Sequence, residues 1–416
     1  MPSSAWNTTS SLVFVVPKVA GSHPRIVIGL AVAALLAASA LAAVRTSTPP
    51  PAREAAGPPS LRPPVQVVED LPLLTARMRA DDRFMGAVLV ARGDRVLFRQ
   101  VFGIADQRTG RPLRLDARFR LASISKQFTA AALLKLRDEG RLKIGDPVCK
   151  WIQPCPQAWA PIRLHHLLSH TSGIPDLMAR PGWGVRRVLP ATLEELTDNS
   201  KLFRLSFMPG SKVRYDNAAF NLAAAVVEQA SGMSFDRYLQ TAFFDPLGMK
   251  DTGLGDREDL VMGHADFPGG LTPQPQANVS ILPGAGAVFS TLDDMLVWQR
   301  ALHGGHVLSP NSYARMTTDH TPSETPQEQG RVRRGWGYGV FVNSLGRQVR
   351  PGFDDRQIYH TGSWSGFRNL VTYQPEADVT VIVLSNNFHQ RDAVFLISQQ
   401  AMAEALGRPF PTALAR

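Results

Sequence analysis

The pattern of apolar and polar positions divides the chain into a leader, a linker and a long patterned remainder. Residues Ile26 to Val44 are uncharged and apolar throughout, close to the ~20 positions a helix needs to cross a bilayer. Lys18 and Arg25 precede this run, Arg45 follows it, and Ala40-Leu41-Ala42 fits a signal-peptidase site. Two readings stay open, a cleaved signal peptide and an uncleaved membrane anchor. Both put the remainder outside the cytoplasm, periplasmic or secreted. Residues 46–64 are rich in Pro and Ala and carry no periodic pattern, which reads as an extended, semi-stiff linker. The expected organisation is a leader over 1–45, a linker over 46–64 and one globular domain over 65–410.

Within that domain the hydrophobic period changes twice. GAVLVARGDRVLFRQVFGIAD (86–106) reads as two strands joined at Gly93-Asp94, a hairpin-turn dipeptide. The triplet Arg92-Gly93-Asp94 also matches an adhesion tripeptide, but the turn accounts for it. After Ser123, ISKQFTAAALLKLRDEG is an apolar helix stopped at Gly140. From about 140 to 300, helical patches alternate with Pro- and Gly-rich loops. RQIYHTG, FRNLVTYQP and DVTVIVLSNN then read as neighbouring antiparallel strands, and about 391–406 as a closing helix. Strands at both ends with helices between them predict an α/β (α+β) fold: an antiparallel sheet built from distant halves, flanked by helices, with an all-helical region inserted.

Composition narrows the function classes. The chain has 416 residues, 44% of them hydrophobic, enough for a large core. The formal net charge of +10 is scattered, and its densest cluster, Arg331, Arg333 and Arg334, reads as a solvated basic face. No nucleic-acid module surrounds it, so no nucleic-acid partner is expected. The two cysteines, Cys149 and Cys155, lack the company of a zinc site. They would form a loop disulfide in an oxidising compartment and remain two thiols in the cytosol; the leader favours the disulfide. His165, His166 and His170 have no acid or Cys at ligand spacing, and read as a helix-to-loop junction broken by Ser172-Gly173-Ile174-Pro175. G-x-S-x-G, H-E-x-x-H and the glycine-rich nucleotide loops are absent, so neither metal nor cofactor is expected.

The chemistry begins at Ser123-Ile124-Ser125-Lys126. On a helix, positions i and i+3 share a face, so the hydroxyl and the amine become neighbours. A Ser hydroxyl needs a base to become a nucleophile, and burial lowers a Lys pKa into the useful range. The four-residue pattern is common by itself. Two later features give it partners: Tyr215-Asp216-Asn217, and His360-Thr361-Gly362 on a predicted strand.

The order S-x-x-K, Y-x-N, [K/H]-T-G resembles the serine β-lactamase and D,D-peptidase superfamily. Y-x-N in second place is similar to the class C branch, its carboxypeptidase relatives and related esterases. FRLASISKQFTA, LHHLLSHTSGIPD and YDNAAFNLAAAVVE match in style, and the resemblance spans about 70–405. It implies a β-lactamase/transpeptidase-like fold and a serine hydrolase that forms an acyl-enzyme on an amide or ester: a cell-wall D-Ala peptide, a β-lactam or a small ester. It also implies roles for single residues. Ser123 would attack, with Lys126 and Tyr215 handling its proton between them. Asn217 would bind the substrate's amide side chain and Thr361 a carboxylate or carbonyl oxygen. Gly362 would let the strand approach substrate, and the backbone N–H groups of Ser123 and Ser363 would form an oxyanion hole. His360 stands where many β-lactamases have Lys, which weakens the case for efficient β-lactam hydrolysis and favours a broader peptidase, esterase or amidase. The alternative is a non-catalytic penicillin-binding sensor, anchored through the apolar run. Gly335-Trp336-Gly337-Tyr338-Gly339 either lines the cleft or is an irregular strand edge.

Overall fold

The alternating segment after Gly86 forms strands because both of its faces are buried. Ala87, Leu89 and Ala91 face one core while Val88 and Val90 face another. The computed structural model describes residues 66–81, 83–275, 277–323, 334–343 and 355–410. The apolar run at 26–44, the linker at 46–64, Arg331 and Arg333 lie outside the described residues.

In chain order the elements that frame the site are β1 (Val68–Glu69), α1 (Pro72–Ala80), β2 (Gly86–Arg92), β3 (Arg95–Phe102), α2 (Lys126–Asp138), α3 (Asn217–Ser231) and α4 (Leu292–His303). They are followed by β4 (Gly335–Trp336), β5 (Phe341–Asn343), β6 (Gln357–Trp364), β7 (Phe367–Gln374), β8 (Val379–Ser385) and α5 (Arg391–Ala405). The eight strands make one antiparallel sheet in the order β1-β3-β2-β8-β7-β6-β5-β4. Its centre pairs β2 with β8, Val88 opposite Val383 and Leu89 opposite Ile382, so distant halves of the chain meet there. Gly93 turns the first hairpin with φ +52°, a conformation glycine adopts without strain.

Each face of the sheet has its own core. Leu74 and Met78 of α1 and Val394 and Ile397 of α5 cover the face that carries Val88, Val381 and Val383. The opposite face packs on α2, α3 and α4 through Phe128, Val226 and Trp298. α3 is buried almost all round, which explains its Ala- and Val-rich sequence. Arg99 of β3 donates twice to the Asp293 carboxylate, 2.8 and 2.6 Å, tying the sheet to the first turn of α4. Between α2 and α4 the chain is mainly short helices and loops, with a small hairpin at His264–Phe267 and Gly270–Pro273. Cys149 and Cys155 are joined as a disulfide, with Cα atoms 5.3 Å apart.

A second, three-stranded sheet bears on function. Val288–Ser290 lies between Phe119–Arg120 and Gly253–Leu254, antiparallel to both. The strand Phe119–Arg120 runs directly into Ser123.

Candidate active site

Ser123 is held in a tight turn rather than on the α-helix itself. Ala122–Ser125 is a 3₁₀ turn, and the α-helical bonding of α2 begins at Lys126. Val288 fixes both ends of the turn: its carbonyl accepts from the Leu121 N–H at 2.9 Å, and its N–H donates to Ser125 Oγ at 3.0 Å. Ala122 takes φ +52°, an unusual conformation for a residue with a Cβ. The i, i+3 relation survives the tighter winding, and Lys126 Nζ lies 3.3 Å from Ser123 Oγ.

Lys126 is fully buried, 0% exposed. Its Nζ donates to Asn217 Oδ1 and to the Ala285 carbonyl, both at 2.8 Å. Burial pushes the ammonium down to about 7, against the opposing pull of Asp176 and Asp216. A neutral amine has two N–H groups and one lone pair. With the two N–H groups engaged by Asn217 and Ala285, the lone pair is left for Ser123.

Tyr215 lines the cavity beside Ser123, and burial pushes its phenol up, against the opposing influence of the Ser123 hydroxyl. The Lys126 amine sits 4.7 Å above its ring. Behind it, the buried His170 stacks on the same ring at 4.6 Å and accepts the Asp216 N–H on Nδ1 at 3.0 Å. Burial holds His170 well below its ordinary pKa, so the ring stays neutral. The junction expected at His170 is therefore also the back support of Tyr215. Asp216 caps α3 by accepting the Ala218 N–H at 2.8 Å. Burial, and then Asp176, push the Asp216 carboxyl up to about 8.

Asn217 is engaged on both sides. Besides receiving Lys126, its Nδ2 donates to Asp176 Oδ1 at 3.1 Å, and the same oxygen accepts the Asn217 backbone N–H at 2.9 Å. Asp176 was not singled out in the sequence, although it closes the stretch LHHLLSHTSGIPD. The Ala285 carbonyl left no sequence signal, because any residue type supplies one.

The strand side differs. β5 pairs with β6 only as far as Phe341 opposite Tyr359, so His360 to Trp364 continue past the end of that ladder. Thr361 is half-buried and Ser363 exposed; the Ser363 hydroxyl accepts from Arg368. His360 is buried beside them, stacked on Phe341 at 4.6 Å, with Nδ1 donating to the Thr361 carbonyl at 2.7 Å. Burial, and then Lys126, push His360 down to about 3, so it is a neutral ring at physiological pH. Gly362 permits a close approach, but to the Ser123 turn: a Cβ there would sit 2.1 Å from the Leu121 carbonyl oxygen. Gly339 plays the same part for α2, since its Cβ would sit 2.4 Å from the Lys126 carbonyl. The Gly335–Gly339 segment is thus the outer hairpin of the sheet, and its Trp336 ring lies 5.2 Å from His170.

These parts enclose a cavity of about 430 Å³. Ser123, Tyr215, Asn217, Thr361 and Ser363 line it together with Asp176, Arg334 and an apolar set, Met178, Leu282, Phe341 and Trp364. His360 and Gly362 are not in the lining. Arg334, expected on a solvated face, is part of the wall. Among the described residues no group of three or more His, Cys, Asp or Glu side chains could hold a metal ion.

A family model described as Beta-lactamase matches residues 73–403. The chain is similar to the D-alanyl-D-alanine-carboxypeptidase/endopeptidase AmpH of Escherichia coli, 29% identical over 317 residues that span 72% of this chain and 78% of the relative. It is similar to Esterase EstB of Burkholderia gladioli, 28% identical over 365 residues, 75% of this chain and 91% of the relative. The octameric penicillin-binding protein homologue from Pyrococcus abyssi shares the fold, with a TM-score of 0.69 at 24% identity over 83% of this chain and 79% of that one.

Proposed function

We propose, for a chain that belongs to the beta-lactamase family and is a serine hydrolase, that Ser123 is the nucleophile and neutral Lys126 its base. The observation that carries this is the bonding of Lys126: two acceptors at 2.8 Å hold its N–H groups, and Ser123 Oγ stands 3.3 Å from Nζ.

Ser123 Oγ bonds to the substrate carbonyl carbon as its proton passes to Lys126 Nζ. The oxyanion so formed faces the N–H groups of Ser123 and Ser363. The intermediate collapses and expels the amine or alcohol, which takes a proton from the Tyr215 hydroxyl; Lys126 returns one to Tyr215. Water then adds to the acyl-enzyme, gives its proton to Lys126, and Ser123 leaves with a proton restored. Tyr215 is a relay rather than a phenolate base, because burial raises its pKa. Asn217 orients Lys126, and Thr361 contacts the substrate.

The substrate class is an amide or ester, a D-Ala-terminated peptide or a small ester, in keeping with relatives named as a carboxypeptidase/endopeptidase and an esterase. These names do not favour the non-catalytic sensor. Neutral, buried His360 offers no cation to a β-lactam carboxylate, so nitrocefin turnover is expected to be poor. The domain acts outside the cytoplasm, as the apolar run at 26–44 suggests; among the described residues no helix is long and apolar enough to cross a membrane.

The test is a panel of p-nitrophenyl esters, a D-Ala-D-Ala peptide and nitrocefin. Ester cleavage is expected to exceed nitrocefin cleavage, and Ser123→Ala should lose at least about 10³-fold in kcat. A Ser123→Ala protein as active as wild type would overturn the assignment, and efficient nitrocefin cleavage would overturn the substrate ranking.

A further inference from the structure

We infer that a second cavity, on the far side of Asp176 from the catalytic one, is an effector site for a compact, neutral, apolar molecule, and that its occupancy favours catalysis. This reaches beyond the assignment of nucleophile and base and needs only that the cleft cleaves esters.

The second cavity measures about 400 Å³, close to the catalytic one. No residue lines both, so the two are separate chambers with a shared partition. Three neighbouring pairs build that partition. Leu177 lines the second chamber, while Asp176 and Met178 on either side of it line the first. Asn221 lines the second, and Asn217, one turn earlier on α3, the first. Ile281 lines the second and Leu282 the first. An occupant of the second chamber is therefore a molecule distinct from the substrate at Ser123.

The lining defines its chemistry. Leu177, Trp183, Val185, Leu189, Leu196 and Phe203 supply apolar surface. The polar side chains between them bond within the protein. Asn199 Oδ1 accepts from Arg180 at 2.8 Å, and Ser200 donates to the Leu196 carbonyl at 2.8 Å. Asn221 donates to the Ile281 carbonyl at 3.0 Å and accepts the Gly284 N–H at 3.3 Å. A ligand there gains little from hydrogen bonds and much from burying apolar area. At the rim, Val185 is 70% and Leu189 46% exposed, so an occupant covers apolar surface that otherwise meets water. Arg180 and Arg186 in the lining disfavour a cation.

Coupling follows from the partition. Leu177–Ala179 is one 3₁₀ turn, entered through Asp176. On its catalytic side, Asp176 Oδ1 accepts both the backbone and the side-chain N–H of Asn217, and Met178 Sδ lies 3.2 Å from Asn217 Nδ2. Asn217 in turn holds Lys126. A molecule packed against Leu177 supports that turn from the other side. It therefore favours the arrangement in which Asn217 is held and Lys126 is oriented.

Anisole tests this, being neutral, compact and neither a nucleophile nor an acylating agent. By calorimetry it should bind the full chain saturably, and at saturation kcat for p-nitrophenyl acetate should rise about fivefold. Benzyltrimethylammonium should do neither. Leu189→Trp fills the mouth of the chamber, and Leu189→Ser removes part of its apolar wall. Both variants should keep the activity measured without anisole. Each should weaken anisole binding about tenfold or more and shift the activation curve by the same factor. Competitive inhibition that neither variant alters would place anisole in the catalytic cleft and overturn the inference. So would saturable binding that leaves kcat unchanged, since the partition would then transmit nothing. Absence of binding, with ester cleavage intact, would overturn the inference and leave the catalytic assignment standing.

Discussion

The two walls of the cleft are built on different principles. The helical wall, from the Ser123 turn through Lys126 to Tyr215 and Asn217, is buried and densely bonded. Lys126 Nζ, both ends of the Asn217 amide and His170 Nδ1 each have a named partner. The strand wall, Thr361, Ser363, Trp364 and Arg334, is more exposed and keeps unpartnered donors. A base near neutrality must be held where burial can disfavour its charge, so its wall must be closed and prearranged. A recognition surface needs the opposite, groups whose partners arrive with the substrate.

Three substitutions press on this contrast, beginning with the largest effect. Lys126→Met removes the proposed base from the closed wall and should lower kcat/KM by about 10³-fold. In wild type, log kcat/KM should rise with pH and level off above about 7, because only neutral Lys126 accepts the Ser123 proton. The acid limb should vanish in the residual activity of the Met variant; a limb that stays in place would assign it to another group.

Gly362→Ala attacks the seam between the walls. Its Cβ meets the Leu121 carbonyl oxygen, so β6 and the Ser123 turn must part. Activity should fall about 10- to 100-fold, and stability by about 1–3 kcal/mol in denaturant unfolding. Unchanged activity and stability would show that the seam has slack.

The smallest effect is expected from His360→Gln. His360 belongs to the strand by sequence but to the buried side by position, where it is already neutral. A fall in kcat/KM of no more than about threefold, with the acid limb still near 7, is the expected pH–rate result. A displaced limb would show that His360 exchanges charge with Lys126.

Much of the fold is legible in the sequence alone. Period-2 runs became β2, β3, β6, β7 and β8 nearly at their expected bounds, and the helix after Ser123 ended where Gly140 adopts φ +73°. These features are local, and sequence carries local information well. The site was readable as three motifs, but not as a network. Asp176 carries no motif of its own, Arg334 reads as part of a solvated basic cluster, and Ala285 contributes only backbone. Gly362 was read as an approach to substrate, because nothing in the chain shows that Leu121 lies against it.

The sequence by itself determined the family, the order of the motifs and the i, i+3 pairing of Ser123 with Lys126, since each depends on residue identity and short spacing. Only the tertiary structure decided which groups are charged and which face the cavity. Lys126 is shifted toward neutrality because segments 91 and 159 residues away close over it and bury it. His360 is buried while Thr361 lines the cavity, because the packing around the sheet decides which strand positions are covered. Burial and facing are properties of contacts between distant segments, and no single segment contains them.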